Sequence, residues 1–264
     1  MQWLPVDILR MILVCCAPEY LHRIAAVCRG WKNITEVRRI RIAKLCSPPF
    51  NIKRPFTCKE RKLRLDSIGD TRLSAFATAV GNGALPLLTY LDLENNQIGD
   101  AGLASFAAAL GSGALASLQQ LWLGSNRIGD DGVADLATAV GNGALPSLKM
   151  LDIFGNKIGD DGMLAFAAAV GNGALPLLTY LDLENNQIGD AGLASFAAAL
   201  GSGALPSLMY LYLSNNNIGD TGLSALATAV CNGTLPECIT IPLDGNPASA
   251  ESRQLVQNAL DNLG

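Results

Sequence analysis

One imidazole, His22, occurs in the 264 residues, so any chemistry that joins histidine to a serine or cysteine nucleophile has a single place to start. His22 sits in a helical stretch near the N-terminus, ahead of the acidic three quarters of the chain, and it reads as a surface residue of that stretch. A Ser-His-Asp or Cys-His arrangement beyond it is excluded. The seven cysteines are an odd number, five of them (Cys15, Cys16, Cys28, Cys46, Cys58) precede residue 59, and none forms a C-x-x-C pair. Free thiols in a reducing compartment fit this better than a disulfide or zinc framework. "IGDDG" brings carboxylates and glycine together but lacks the alternating oxygen ligands of a calcium loop. The glycine pairs of "GNGALP" resemble a phosphate loop, yet such a loop follows a strand and opens a helix. Here the glycines close a helical pattern, which makes them C-caps in left-handed conformation. The sequence therefore offers no catalytic residue, no metal set and no cofactor site.

What recurs instead is a mixture of carboxylates and aromatic rings. Shifted by thirty, the chain superposes on itself as "LTYLDLENNQIGD", "LQQLWLGSNRIGD", "LKMLDIFGNKIGD", "LTYLDLENNQIGD" and "LMYLYLSNNNIGD", starting at Leu88, Leu118, Leu148, Leu178 and Leu208. A degraded copy begins at Cys238, and a partial one covers Arg61 to Asp70. In each unit two leucines stand two apart, as Leu91 and Leu93 do, and enter a core from a short strand, while Tyr90, Asp92 and Glu94 point to the opposite face. Reading that face across the repeats gives columns that bring together Tyr90, Tyr180 and Tyr210, then Asp92, Trp122, Asp152, Asp182 and Tyr212, then Glu94, Phe154 and Glu184. Neighbouring strands lie about 4.8 Å apart, so Asp152 and Asp182 are expected to repel each other, by nearly 1 kcal/mol in a water-like dielectric. A basic partner would relieve that repulsion, and exposed aromatics beside it suit a protein contact. The other reading of the same columns is solvated surface.

The remaining positions of the unit are scaffold. Asn96, Asn126, Asn156, Asn186, Asn216 and Asn246 recur where the chain leaves the strand, and their amides are expected to hydrogen-bond turn backbone in their own and the adjacent repeat. The aspartate of "IGD" (Asp70, Asp100, Asp130, Asp160, Asp190, Asp220) precedes a helical pattern such as Leu103, Phe106, Ala107, Leu110 and reads as that helix's N-cap. In the last stretch Leu255, Ala259 and Leu260 keep helical spacing, as a terminal cap requires. Residues 79 to 115 and 169 to 205 are identical over 37 positions, the trace of a block duplication. L-x-x-L-x-L-x-x-N at period thirty is the leucine-rich repeat signature. The array resembles the ribonuclease-inhibitor-like subclass, which implies an α/β solenoid, a horseshoe of parallel concave strands and convex helices, over residues 61 to 264.

The N-terminal part differs in charge and pattern. Residues 1 to 64 hold 14 Lys/Arg against 4 Asp/Glu, a balance of +10, whereas residues 65 to 264 hold 5 against 19, or −14. The basic stretches "VRRIRIAK" (Val37 to Lys44) and "KERKLR" (Lys59 to Arg64) have no interleaved aromatics for base stacking, so a solvated helix face beside an acidic neighbour is favoured over a nucleic-acid or acidic-lipid patch. The apolar "MILVCCA" lacks a basic leader and is interrupted nearby by Asp7 and Arg10, unlike a signal peptide, and no run is long enough to span a bilayer. Three short helices are expected over residues 1 to 46, followed by a Pro-containing connector, "CSPPFNIKRPF", within a 47 to 60 linker.

Leu4-Pro5, Ile8-Leu9, Ile12-Leu13, Pro18, Leu21, Ile24, Val27-Cys28-Arg29 and Trp31 follow one register without a gap. That register resembles an F-box, with departures at Cys16 and Gly30. The resemblance implies a subunit that docks on the small adaptor of a cullin-RING (SCF-type) ubiquitin ligase through Leu4, Pro5, Ile8, Leu9 and Ile12, with Trp31 serving that surface or the unit's own core. It also implies that the repeats capture a client protein, here one with a basic surface, in the cytoplasm or nucleus. Two alternatives stay open: the helices merely cap the first repeat, or the chain is an interaction scaffold or small-GTPase regulator.

Overall fold

The computed structural model describes residues 61–263. The adaptor-facing residues, His22, the linker and the basic segment Arg38 to Lys44 lie outside them. Strands β1 (Lys62–Arg64), β2 (Tyr90–Asp92), β3 (Gln120–Trp122), β4 (Met150–Asp152), β5 (Tyr180–Asp182) and β6 (Tyr210–Tyr212) form one parallel sheet in sequence order. They alternate with helices α1 (Gly69–Gly81), α2 (Asp100–Gly111), α3 (Asp130–Gly141), α4 (Asp160–Gly171), α5 (Asp190–Leu200) and α6 (Asp220–Cys231), and α7 (Ala250–Asp261) ends the array. Each helix contacts the next along the row, as does each strand, so stability is carried by nearest-neighbour contacts.

Between the two layers the apolar positions of every unit meet. Leu91, Leu93, Ile98, Leu103, Phe106 and Leu110 are all fully buried, and the same positions repeat down the array. Phe76 stacks on Phe106 at 6.2 Å and Phe166 on Phe196 at 6.4 Å, joining adjacent helices through the core. The loop after each of α1 to α5 turns through a left-handed glycine, such as Gly113 at φ 90°, as the C-cap reading requires. Two residues later a leucine also adopts positive φ, as at Leu115 (55°), at a cost of about 1–2 kcal/mol. Burying that leucine contributes about 1.5–3 kcal/mol, which is enough to hold the strained backbone in place.

The asparagine ladder bridges coils as expected. Asn126 Oδ1 accepts the N–H of Asn96 and of Ile98, both at 3.0 Å, while its Nδ2 donates to the carbonyls of Leu93 (2.9 Å), Leu123 (2.8 Å) and Gly124 (3.2 Å). The aspartate of "IGD" behaves differently from its expected role. Asp100 is the first residue of α2, whose N-cap is Gly99, and it is Asp70 of the preceding coil, not Asp100, that accepts the Gly99 N–H (2.7 Å). The Asp100 carboxylate reaches forward to the next coil, where Oδ1 accepts the N–H of Gly129 (2.7 Å) and Gly132 (3.0 Å) at the start of α3. The aspartate thus satisfies the free N–H groups of the following helix rather than its own.

At the C-terminal end two expectations change. Leu255 is 52% exposed, and Val256 takes the core position beside Ala259 and Leu260. The degraded copy forms a single bridge, Tyr210 to Thr240, in place of a strand, because Pro242 interrupts it. Cap α7 has a side-chain N-cap, with the Ser252 N–H donating to Ser249 Oγ at 3.2 Å. The Ser249 N–H also donates to Asp220 (2.6 Å), and this bond, helped by the Ser249 and Ser252 hydroxyls, holds the Asp220 carboxyl below the usual carboxylate range.

Candidate protein-interaction face

The strand register places the columns side by side as the repeat alignment predicts: Tyr90, Gln120, Met150, Tyr180 and Tyr210 in one, Asp92, Trp122, Asp152, Asp182 and Tyr212 in the next. Strand β1 extends both, with Lys62 beside Tyr90 and Arg64 beside Asp92. "KERKLR" therefore ends in a strand, not a helix face, although its acidic neighbour is real. Arg64 Nη1 lies 3.2 Å from Asp92 Oδ2, and Lys62 Nζ sits 5.7 Å from the centre of the Tyr90 ring. Neither residue was among the expected contacts, because the first repeat is two residues shorter than the others and a shift of thirty misaligns its strand.

The aspartates are not solvated surface. Asp92, Asp152 and Asp182 are only 3%, 4% and 8% exposed. The aromatics of the same face are half-buried rather than exposed. Tyr90 and Trp122 meet at 6.3 Å, Tyr180 and Tyr210 at 6.3 Å, and Tyr180 and Tyr212 at 5.2 Å. Gly124 admits this packing: a Cβ there would strike the ring of Phe154 and come within 2.9 Å of Asp152 Oδ1. The water-like repulsion expected between Asp152 and Asp182 is accordingly replaced by a desolvated pair.

The three carboxylates differ in their partners. Asp92 accepts from the Tyr90 hydroxyl (3.3 Å) and the Glu94 N–H (3.1 Å) and is ion-paired to Arg64. Asp182 accepts from the Tyr180 hydroxyl (3.0 Å) and the Glu184 N–H (3.0 Å). Asp152 accepts only the Phe154 N–H, at 3.2 Å on Oδ1. Burial pushes Asp152 up to about 7, with the Phe154 N–H opposing and the charges of Asp182, Glu94 and Asp92 adding to it. Burial also raises Asp182, against its two hydrogen bonds. Tyr180 is raised as well, by burial first and then by the Asp182 charge. Trp122 Nε1 is buried without a hydrogen-bond partner, one donor short of a satisfied face.

Other reactive groups stand apart from this face. Burial pushes the Cys238 thiol up to about 11, where little thiolate forms at neutral pH. No cluster of three metal-ligating side chains occurs among the described residues, and no described helix is long and apolar enough to cross a membrane.

The single parallel sheet, its helical outer layer and the asparagine ladder define a leucine-rich repeat solenoid. Residues 84–107, 114–137, 144–167, 174–197 and 204–227 match the family described as Leucine Rich repeat, and residues 1–42 match the F-box domain family. With an F-box ahead of its repeats, the chain matches an F-box/leucine-rich repeat protein. Among solved structures it is similar to Leiomodin-1 Actin-Binding Site 2, at 16% identity over 60% of this chain and 86% of that one, with a TM-score of 0.47. It is also similar to an internalin from Listeria monocytogenes, at 20% identity over 74% of this chain and 65% of that one, with a TM-score of 0.36. No curated protein matches the sequence.

Proposed function

We propose that the chain is the substrate-recognition subunit of a cullin-RING (SCF-type) ubiquitin ligase, its N-terminal unit docking the adaptor and its strand face holding a client protein. The F-box match at residues 1–42 carries the first half of this reading. F-box/leucine-rich repeat families are typically non-enzymatic interaction modules. By the F-box register, Leu4, Pro5, Ile8, Leu9, Ile12 and Trp31 form or support the adaptor surface. The second half rests on the strand face, where half-buried rings stand beside desolvated carboxylates. Such a face loses little conformational freedom on binding and offers aromatic anchors.

The test is a pull-down of purified adaptor by the full chain. Retention is expected, and it should fall at least tenfold for the Leu4→Asp, Pro5→Ala double variant while the melting temperature of the repeats is unchanged. Absence of adaptor binding, or binding indifferent to that variant, overturns the ligase role. Client capture that persists without adaptor binding would instead identify a scaffold.

A further inference from the structure

The duplicated block places one sequence in two surroundings. Tyr90-Leu91-Asp92-Leu93-Glu94 and Tyr180-Leu181-Asp182-Leu183-Glu184 are identical, and in both the tyrosine hydroxyl and the glutamate N–H donate to the aspartate. The strand that precedes each copy differs. Asp92 stands beside Arg64, and Asp182 stands beside Asp152. Where the first copy holds a guanidinium from within the chain at 3.2 Å, the second meets a carboxylate of its own sign.

This second copy is unfinished in a particular way. Asp152 is only 4% exposed, and its one hydrogen bond is the Phe154 N–H on Oδ1, where Asp92 and Asp182 each also hold a tyrosine hydroxyl. Among the described residues the ion pairs are those of Arg64 with Asp66 and Asp92, so no cation of the array serves Asp152 or Asp182. A buried carboxylate with free acceptor capacity is costly unless a charged donor completes it. Beside the pair stand the rings of Tyr180 and Tyr212, 5.2 Å apart, and Phe154, whose ring lies over Gly124. Flat aromatic rings beside paired carboxylates suit a planar guanidinium, which can donate to two acceptors at once and stack on a ring.

We infer that an arginine side chain of the client seats its guanidinium between Asp152 and Asp182, in the place that Arg64 fills for Asp92. This rests on the reading that the strand face holds a client. The chain itself supplies the precedent, since an arginine already satisfies the identical motif one block away. With both carboxylates ionised the guanidinium brings the net charge from −2 to −1, offsetting the burial and, after it, the Asp182 charge that disfavour an ionised Asp152.

The probe is N-acetyl-arginine methylamide, titrated into the full chain while the carboxyl carbons of Asp152 and Asp182 are followed by NMR, with the lysine and the uncharged citrulline analogues as controls. Saturable shifts of both carboxyls are expected with arginine, at least threefold tighter than with lysine and absent with citrulline. Asp182→Asn and Asp152→Asn should each weaken binding at least tenfold. Asp152→Arg, which copies the Arg64 arrangement into the second block, should abolish it and raise the melting temperature. Equal binding of citrulline or lysine, or undiminished binding by Asp182→Asn, overturns the inference. Client capture distinguishes the two levels: if Trp122→Ala with Tyr212→Ala releases a client that Asp152→Arg still holds, the face binds clients without this arginine. If neither change releases it, the strand-face reading falls too.

Discussion

Asp100 Oδ1 accepts the N–H groups of Gly129 and Gly132 together, tying the first turn of one helix to the first turn of the next. The tie dictates the glycine, because a Cβ on Gly132 would come within 2.6 Å of Asp100 Oδ1 and 3.1 Å of its Cα. Asp100→Ala is expected to lower stability by about 1–2 kcal/mol, the usual worth of a lost helix cap. Gly132→Ala should lower it by a similar amount through the clash, even though alanine favours helix. Denaturant titrations of both variants check this, and combining them should cost less than the sum, since each removes the same contact.

Asn126 serves five hydrogen bonds across two coils while 9% exposed. Asn126→Ala strands two buried N–H groups and relaxes three carbonyls, for an expected loss of about 2–4 kcal/mol. Asn126→Asp keeps the acceptor but aims a carboxylate at those carbonyls, and should be at least as damaging. Calorimetric melting of the two variants measures the order.

Arg64 partners a carboxylate that is almost wholly covered, its side chain 30% exposed and that of Asp92 4%. Arg64→Met leaves Asp92 with two hydrogen bonds and no counter-charge, and is expected to destabilise the array by about 1–3 kcal/mol, at the low end of a broken buried pair because Arg64 reaches solvent. The double variant Arg64→Met, Asp92→Asn should recover most of that loss, as a thermodynamic cycle would show.

Much of this fold was legible because it repeats. Leu91, Leu93 and Phe106 declare their burial by spacing, and six asparagines recurring every thirty residues imply a ladder of side-chain amides. Less visible were features that depend on which coil a side chain reaches. Asp100 precedes a helix in sequence, yet its carboxylate caps the helix thirty residues on. Leu255 and Val256 are adjacent, and only the rotation of α7 against α6 decides that valine goes inside. On the strand face, the alternation of residues gave the columns correctly but not their depth, since it does not tell that Phe154 lies over Gly124 of the neighbouring coil, with Asp152 Oδ1 close by. Arg64 joined that face unannounced because the first repeat lacks the two residues that would have aligned it.

Asp152 makes the array's stability depend on pH in a direction opposite to that of most paired carboxylates. Its pKa rises from the ordinary 3.8 to about 7 on folding, so between those values the native state binds more protons than the unfolded chain. Stability is therefore greatest below about pH 4 as far as this group is concerned, and falls as pH climbs to about 7, with a slope of at most about 1.4 kcal/mol per pH unit. Above about 7 both states are ionised and the slope vanishes. The groups that set the shift are the burial itself and the charges of Asp182, Glu94 and Asp92, while the Phe154 N–H works against it. Asp152→Asn removes the titrating carboxyl, so its stability between pH 4 and 7 should be flatter than that of the wild type and higher at pH 7. Urea midpoints taken across that range decide the matter: parallel curves for the two proteins would show that Asp152 ionises normally in the folded chain.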